Sequence, residues 1–403
     1  MNRTYLIATI ALVVMLVLGI GAYFLFFTGS PTVTVAPAGS ASLPVAGQGT
    51  VGTGGSTTST TSPNTPVNVP AVAGTRLVQI TAGPVVAGES VVDMKAANAS
   101  SSPQVAVSFV ERQSGNVFSY LPSTQTLTRI NNKTIPGIQS ASWLPDASTA
   151  FVRYLSGSDF STINTYALSA TTSNGFFLPQ NLTGVAVSGT NILTLTSGVN
   201  GSVGSLSRID GTHAATIFTT PLTSVRLSFA GKNQYLVFTK PASNLTGDAF
   251  LVSSAGSFSR IAGPLDGLVA LASPSGKKAL VSYIQDGTMK MELVDTTTGT
   301  ATILPVSTIA DKCVWTSDDA AIYCGIPIDP PGASYPDDWY QGAVQFSDRI
   351  WKIDVTSRYA QFVLDFSTAK KGALDATALA IDPKSTTLVF VNKNDGSLWS
   401  YSL

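Results

Sequence analysis

A strand–turn–strand pattern recurs along the chain at a nearly constant interval. One copy is "SWLPDASTAFVRY", from Ser142 to Tyr154, in which a Pro-Asp turn joins two apolar runs. The turns of the seven copies centre on Pro103, Asp146, Gly189, Gly231, Ser275, Asp318 and Pro383. Successive intervals are 43, 43, 42, 44, 43 and 65 residues. A period in the forties built only from strands is typical of the blades of a β-propeller.

Each copy continues with two further strand-like runs, such as "MKMELVD" and "ATILPV" in the fifth. Four strands per repeat is the composition of a propeller blade. The last copy stops after its third run, and "TRLVQIT", Thr75 to Thr81, matches the missing fourth. We therefore predict an all-β, seven-bladed propeller of four-stranded blades over residues 75–403, closed by the N-terminal strand at 75–81.

The motifs "ASWLPDAS", "ALASPSGKKALVSY" and "ALAIDPKSTTLVF" resemble the repeat of TolB-type WD40-like propellers. In that family a strand of small residues leads into a turn similar to Ser-Pro-Asp-Gly. The resemblance covers about the whole of Thr75 to Leu403, although the blade at Asn181 to Phe218 departs strongly from the pattern. It implies a propeller, in a family of periplasmic binding and scaffolding proteins and of domains attached to peptidases.

Two segments precede the repeats. Tyr5 to Phe27 contains no charged residue and is long enough to cross a bilayer as a helix, so residues 1–27 are predicted to be a transmembrane anchor. Arg3 before it places the N-terminus in the cytoplasm by the positive-inside rule. Residues 28–74 are uncharged and rich in Gly, Ser, Thr and Pro, which predicts a flexible linker. The expected location is a single pass through the inner (cytoplasmic) membrane, with the propeller periplasmic or extracellular; a cleaved signal peptide is the alternative.

The sixth repeat contains an insertion. Its interval exceeds 43 by 22 residues, and the excess includes "IPIDPPGASYPDDWYQGAV", Ile326 to Val344, between the second and third strands. Aromatic and acidic side chains on a long loop are typical of a recognition element. The candidate binding residues are Tyr335, Asp337, Asp338, Trp339 and Tyr340. Alternatively, Trp339 and Tyr340 fold back over the edge of the blade while Asp337 and Asp338 cap a turn.

The two cysteines, Cys313 and Cys324, flank the turn of the sixth repeat symmetrically. Opposed positions in a hairpin are close enough for a disulfide, which an exported environment permits. Two buried free thiols are the alternative. No zinc site is expected, because the sole histidine, His213, lies in another repeat.

Composition and motifs argue against several functions. The chain has 23 basic and 23 acidic residues, so no net charge attracts it to nucleic acid. With one histidine and no Gly-x-Ser-x-Gly motif, we assign no catalytic residue, metal or cofactor. We expect a non-enzymatic protein-binding or scaffolding module of the cell envelope, with a protein of the envelope as partner. A glycan-binding or glycan-cleaving propeller is the alternative, with carboxylates contributed by different blades.

Overall fold

The structure is a computed structural model that describes residues 67–68, 76–94, 104–172, 174–369 and 372–403. The predicted anchor and residues 28–66 of the predicted linker lie outside these residues. Within the described ranges, no helix is both long enough and apolar enough to span a membrane.

Antiparallel strands account for nearly all the regular structure. The first ten are β1 (Val67–Asn68), β2 (Leu77–Gln79), β3 (Ser90–Met94), β4 (Gln104–Val110), β5 (Val117–Leu121), β6 (Thr126–Asn131), β7 (Ile138–Trp143), β8 (Thr149–Ser156), β9 (Thr162–Ser169) and β10 (Gly175–Phe177). The next nine are β11 (Gly184–Ser188), β12 (Asn191–Gly198), β13 (Gly201–Arg208), β14 (Ala215–Thr220), β15 (Val225–Phe229), β16 (Gln234–Thr239), β17 (Thr246–Ser253), β18 (Phe258–Ala272) and β19 (Lys278–Gln285). The others are β20 (Thr288–Asp295), β21 (Ala301–Ile303), β22 (Cys313–Trp315), β23 (Ala321–Pro327), β24 (Asp348–Asp354), β25 (Ala360–Asp365), β26 (Ala376–Ile381), β27 (Thr387–Asn392) and β28 (Leu398–Ser402).

These strands form successive up-and-down sheets. β3 to β6 form one sheet, to which β1 adds beside β6. β7 to β10, β11 to β14 and β22 to β25 each form a four-stranded sheet, and β15 to β21 form one sheet of seven strands. The remaining sheet joins β26, β27 and β28 to β2, which pairs with β28 in the register Leu77 to Tyr401. The fold is therefore all-β, as the repeat predicts.

The first strands of neighbouring sheets lie against one another. β11 contacts β7 and β15, and β26 contacts β22 and β3. Trp143 Nε1 donates to Gly88 O at 2.9 Å, and Trp315 Nε1 donates to Leu271 O at 3.4 Å. Apolar side chains fill the space between sheets; for example, Phe109 and Tyr120 pack with Val389 and Leu398. We call β3, β7, β11, β15, β22, β26 and the end of β18 the inner strands.

The Ser-Pro-Ser-Gly motif forms the turn after β18, where it packs against the corresponding turn after β15. Gly276 has a φ of +76° and donates its N–H to Ser273 O at 2.9 Å, which closes the turn after β18. A Cβ atom at this position would lie 2.4 Å from Ala230 O in the preceding turn. Glycine is required both by the left-handed backbone and by the close approach of the two turns.

The connections leave the sheets at two opposite ends. The turns between second and third strands lie beside the segments that join one sheet to the next, since Gly267 N donates to Ala242 O at 2.9 Å and Ser202 Oγ donates to Leu222 O at 2.6 Å. We call this the upper end. The turns between first and second strands, such as residues 273–277, lie at the lower end.

Candidate functional site

The insertion of the sixth repeat forms a closed loop at the upper end, between β23 and β24. Ile328 N donates to Ser347 O at 2.7 Å, which joins the two arms at their base. Helix α1, Asp337–Gln341, lies in the middle of the loop and ends at Gly342, whose φ is +78°. We call residues 328–347 the insertion loop.

Two of the candidate aromatic residues form the core of this loop. Tyr335 is 5% exposed and Trp339 is 2% exposed. The Trp339 ring stacks on Phe346 with 6.2 Å between centroids, and the Tyr335 ring lies 5.5 Å from Phe346. In this structure their faces pack inside the protein, which leaves them unavailable to a ligand.

The two candidate carboxylates accept hydrogen bonds from the backbone. Asp337 Oδ2 accepts from Ser243 N, in the turn between β16 and β17, at 2.6 Å. Asp338 Oδ2 accepts from Ser334 N within the loop at 2.7 Å. Asp337 therefore ties the loop to a distant sheet, and Asp338 stabilises the loop's own turn.

Tyr340 is the most exposed of the five candidates, with 38% of its surface accessible. Its hydroxyl donates to Asp311 Oδ2 at 2.6 Å and accepts from Arg226 Nη1 at 3.1 Å. Arg226, on β15, also makes a two-pronged ion pair with Asp311, at 2.7 and 3.0 Å. Burial and the Asp311 carboxylate both raise the pKa of Tyr340, which stays neutral. This cluster connects the loop to β15 and to the 3₁₀ turn Ala310–Lys312.

A buried charged trio lies beneath the loop, which sequence reasoning did not find. Lys312 Nζ donates to Asp348 Oδ2 at 2.8 Å, to Asp375 Oδ1, and to Ala376 O at 3.0 Å. The side chains of Lys312, Asp348 and Asp375 have no exposed surface. Asp375 also accepts from Trp339 Nε1 at 2.9 Å. The trio therefore joins the turn before β22, the start of β24 and the segment before β26.

The electrostatics of the trio are those of a structural anchor. Burial raises the pKa of Asp348 to about 6; Lys312 opposes this effect and Asp375 adds to it. Two carboxylates share one ammonium group in a site without water access, so each contact is needed to offset the cost of burying charge. Because no surface of these carboxylates is exposed, a substrate cannot reach them. Among the described residues, no group of three or more His, Cys, Asp or Glu side chains could hold a metal ion.

Cys313 and Cys324 are directly opposed on β22 and β23 and form a disulfide. The prediction of this bond is confirmed. It fixes the hairpin from which the insertion loop and Lys312 extend.

Exposed apolar side chains lie at the upper end of three consecutive sheets. They are on or beside the turns between second and third strands: Leu155, Phe160, Val199 and Leu245. Phe160 and Leu245 are each 67% exposed, and Val199 is 94% exposed. We call these four residues the apolar tips. The turns that present them, residues 157–161, 199–200 and 240–245, include only two charged residues, Asp159 and Lys240.

Comparison with known proteins supports the architecture. No protein-family model matches the chain, and no curated protein matches it in sequence. Among solved structures, oligogalacturonate lyase from Vibrio parahaemolyticus matches with a TM-score of 0.56 and 8% identity, over 85% of this chain and 98% of that one. Structural neighbours of the chain also include TolB, a β-propeller domain and a WD40 propeller, in agreement with the propeller-type repeat in the sequence.

Two further matches name propellers of these kinds. TolB from Acinetobacter baumannii has a TM-score of 0.44 and 12% identity, over 63% of this chain and 62% of that one. The WD40 β-propeller domain of Doa1 has a TM-score of 0.49 and 11% identity, over 81% of this chain and 95% of that one. At such identities a likeness shows the fold alone, and these proteins differ in role, so function must come from the site.

Proposed function

We propose that the protein is a membrane-tethered, extracytoplasmic propeller that binds another protein of the cell envelope and catalyses no reaction. The observation that supports this proposal is the presence of apolar tips on three consecutive sheets at the upper end. Exposed apolar side chains on turns that carry few charged residues favour contact with an apolar protein surface. The partner we expect is a protein whose contacting surface is apolar and nearly uncharged.

In this proposal the propeller has seven blades. The seven-stranded sheet divides within β18, whose first part pairs with β17 and whose last part pairs with β19, with a register shift between Asp266 and Val269. Every blade then has four strands, with β1 as an additional strand on the first, and β2 supplies the fourth strand of the last one. Sharing a strand between distant parts of the chain would close the ring and remove an exposed edge.

The enzymatic alternative requires accessible carboxylates from two or more blades beside the insertion loop. Asp348 and Asp375 do come from different sheets, but both are fully buried and bonded to Lys312. Oligogalacturonate lyase has a similar fold. The burial of Asp348 and Asp375 and their bonds to Lys312 nevertheless favour an anchoring role for these carboxylates over an acid–base role.

Substitutions at the apolar tips test the proposal without disturbing the core. The tip variant carries both Phe160→Ser and Leu245→Ser. The matched control variant carries both Tyr359→Ser and Phe362→Ser. Tyr359 and Phe362 are also exposed, at 68% and 48%, but Tyr359 lies just before the outer strand β25 and Phe362 lies on it. Each full-length variant is cross-linked in cells of its source and purified, and the co-purifying proteins are identified.

The tip variant should lose a specific partner that the wild type and the control variant retain. Equal recovery from all three proteins would contradict the proposal. Deleting the insertion loop is a poor test, because it would remove Trp339 and expose the charges of Lys312 and Asp375.

A further inference from the structure

A cavity lies at the lower end of the channel between the inner strands. Its volume is about 490 Å³, within the range of about 300–1,000 Å³ typical of small-molecule sites. Residues of β11, β15, β18, β22 and β26 contribute to its wall. It is therefore separate from the apolar tips and from the insertion loop at the upper end.

None of the fourteen residues that line this cavity has an ionisable charge. Phe229, which is partly exposed, provides aromatic surface, and the buried Trp315 supports the wall through its hydrogen bond to Leu271 O. Burying a charged ligand here would be costly, because no opposite charge lies in the wall. The cavity is suited to a neutral ligand.

The wall also offers unused hydrogen-bonding groups. Ser188 and Ser228 are among the residues that line the cavity, and neither hydroxyl has a protein partner within the described part of the chain. In addition, β11, β15, β22 and β26 each pair with a neighbouring strand on one side only. Their other edges therefore present backbone N–H and C=O groups towards the channel. A suitable ligand combines apolar faces with several hydroxyl or amide groups.

We propose that the lower cavity binds a neutral saccharide of one or two sugar units. The C–H face of a pyranose ring would pack on the aromatic wall, and its hydroxyls would bond to Ser188, Ser228 and the free strand edges. At the upper end, Arg226 on β15 is bonded to Asp311 and Tyr340, so the sugar enters from the lower end. Uronic acids and phosphorylated sugars are excluded by the uncharged wall.

The test uses the full chain, solubilised in a detergent without a sugar headgroup. Maltose, cellobiose and di-N-acetylchitobiose are titrated by saturation-transfer NMR and tryptophan fluorescence, with digalacturonic acid as the charged comparison. At least one neutral disaccharide should saturate the signal, and digalacturonic acid should not. Ser188→Ala combined with Ser228→Ala should weaken binding tenfold or more, since two hydrogen bonds are lost.

Two further variants sharpen the result. Ala272→Leu narrows the cavity and should abolish binding, while Ser158→Ala with Ser254→Ala removes two exposed hydroxyls elsewhere and should leave it unchanged. The proposal is overturned if no neutral disaccharide saturates up to about 20 mM, well above the range of weak binding. It is equally overturned if the Ser188 and Ser228 variant binds like the wild type, or if digalacturonic acid binds as tightly as the neutral disaccharides.

Discussion

Glu89 should make the stability of the propeller fall steadily as the pH rises from about 5 to about 8. This residue directly precedes β3, is 9% exposed, and has no hydrogen-bond partner for either side-chain oxygen within the described residues. Burial raises its pKa to about 8 from an ordinary value of 4.5. In the folded protein the carboxyl group is therefore protonated at neutral pH, whereas in the unfolded chain it is ionised.

The size of the effect follows from the two pKa values. A raised folded-state pKa contributes stability that is fully present below the unfolded value and is lost as the pH rises through the folded value. The whole difference between the unfolded and folded pKa values of Glu89, from 4.5 to about 8, corresponds to a change of about 5 kcal/mol in the free energy of unfolding. Between about pH 5 and about pH 8, the free energy of unfolding should fall by about 3.5 kcal/mol from this group alone. Glu89→Gln keeps the shape and stays neutral, so this contribution disappears.

Urea unfolding of the full chain, followed by tryptophan fluorescence at several pH values, measures the effect. The difference in unfolding free energy between Glu89→Gln and wild type should grow in favour of the variant as the pH rises. The pKa of Asp348 is also raised, to about 6. Its pH-dependent contribution to the free energy of unfolding is the same in both proteins and cancels in the difference. Parallel stability curves for the two proteins would refute the reasoning.

Three other substitutions test the supports of the insertion loop and its hairpin. Lys312→Met leaves two buried carboxylates without a cation and should lower the free energy of unfolding by about 3–5 kcal/mol in urea titrations; a loss below about 1 kcal/mol would contradict the anchoring role. Trp339→Phe keeps an aromatic ring but removes the N–H that Asp375 accepts, so calorimetry should show a loss of about 1–3 kcal/mol. Replacing Cys313 and Cys324 by Ala releases a loop with a sequence separation of 11 and should cost about 3 kcal/mol. Reductant should then lower the melting temperature of the wild type but not of this variant.

Much of the fold could be predicted from the sequence because it is built from a local, repeated unit. Hairpin turns such as Asp146 and Ser275 mark the joints between first and second strands, and the period gives the sheet order. Even the divergent segment Asn181 to Phe218 contains a regular sheet, β11 to β14. Strand alternation survives there although the turn motif does not, because packing between neighbouring sheets requires only apolar residues at alternate positions.

The insertion loop could be located from the sequence, but its interior could not. Its length and composition predicted a recognition loop with exposed aromatic residues. The alternative hypothesis predicted that Trp339 and Tyr340 fold back over the edge of the blade. Tyr335 and Trp339 are buried and Asp337 and Asp338 accept backbone hydrogen bonds, whereas Tyr340, which the alternative expected to fold back with Trp339, is 38% exposed. The five-residue helix α1 was not predicted, since it is shorter than the periodicity that identifies a helix.

The charged trio was missed for a different reason. Lys312, Asp348 and Asp375 occur in different strands or connections, separated by 36 and 63 residues from the lysine. Each lies next to an apolar strand, where a lone charge is normally solvated. Only the three-dimensional arrangement brings them together, and a single sequence contains no information on which charges pair.

The most direct test of the proposed function is site-specific cross-linking in intact cells. A photo-reactive amino acid is placed at Val199, an apolar tip, or at Tyr359, an exposed position beside an outer strand. We predict a discrete adduct with one envelope protein from position 199 and none from position 359. The same adduct from both positions, or none from 199 while the purified protein cleaves a glycan, would contradict the account of a protein-binding propeller.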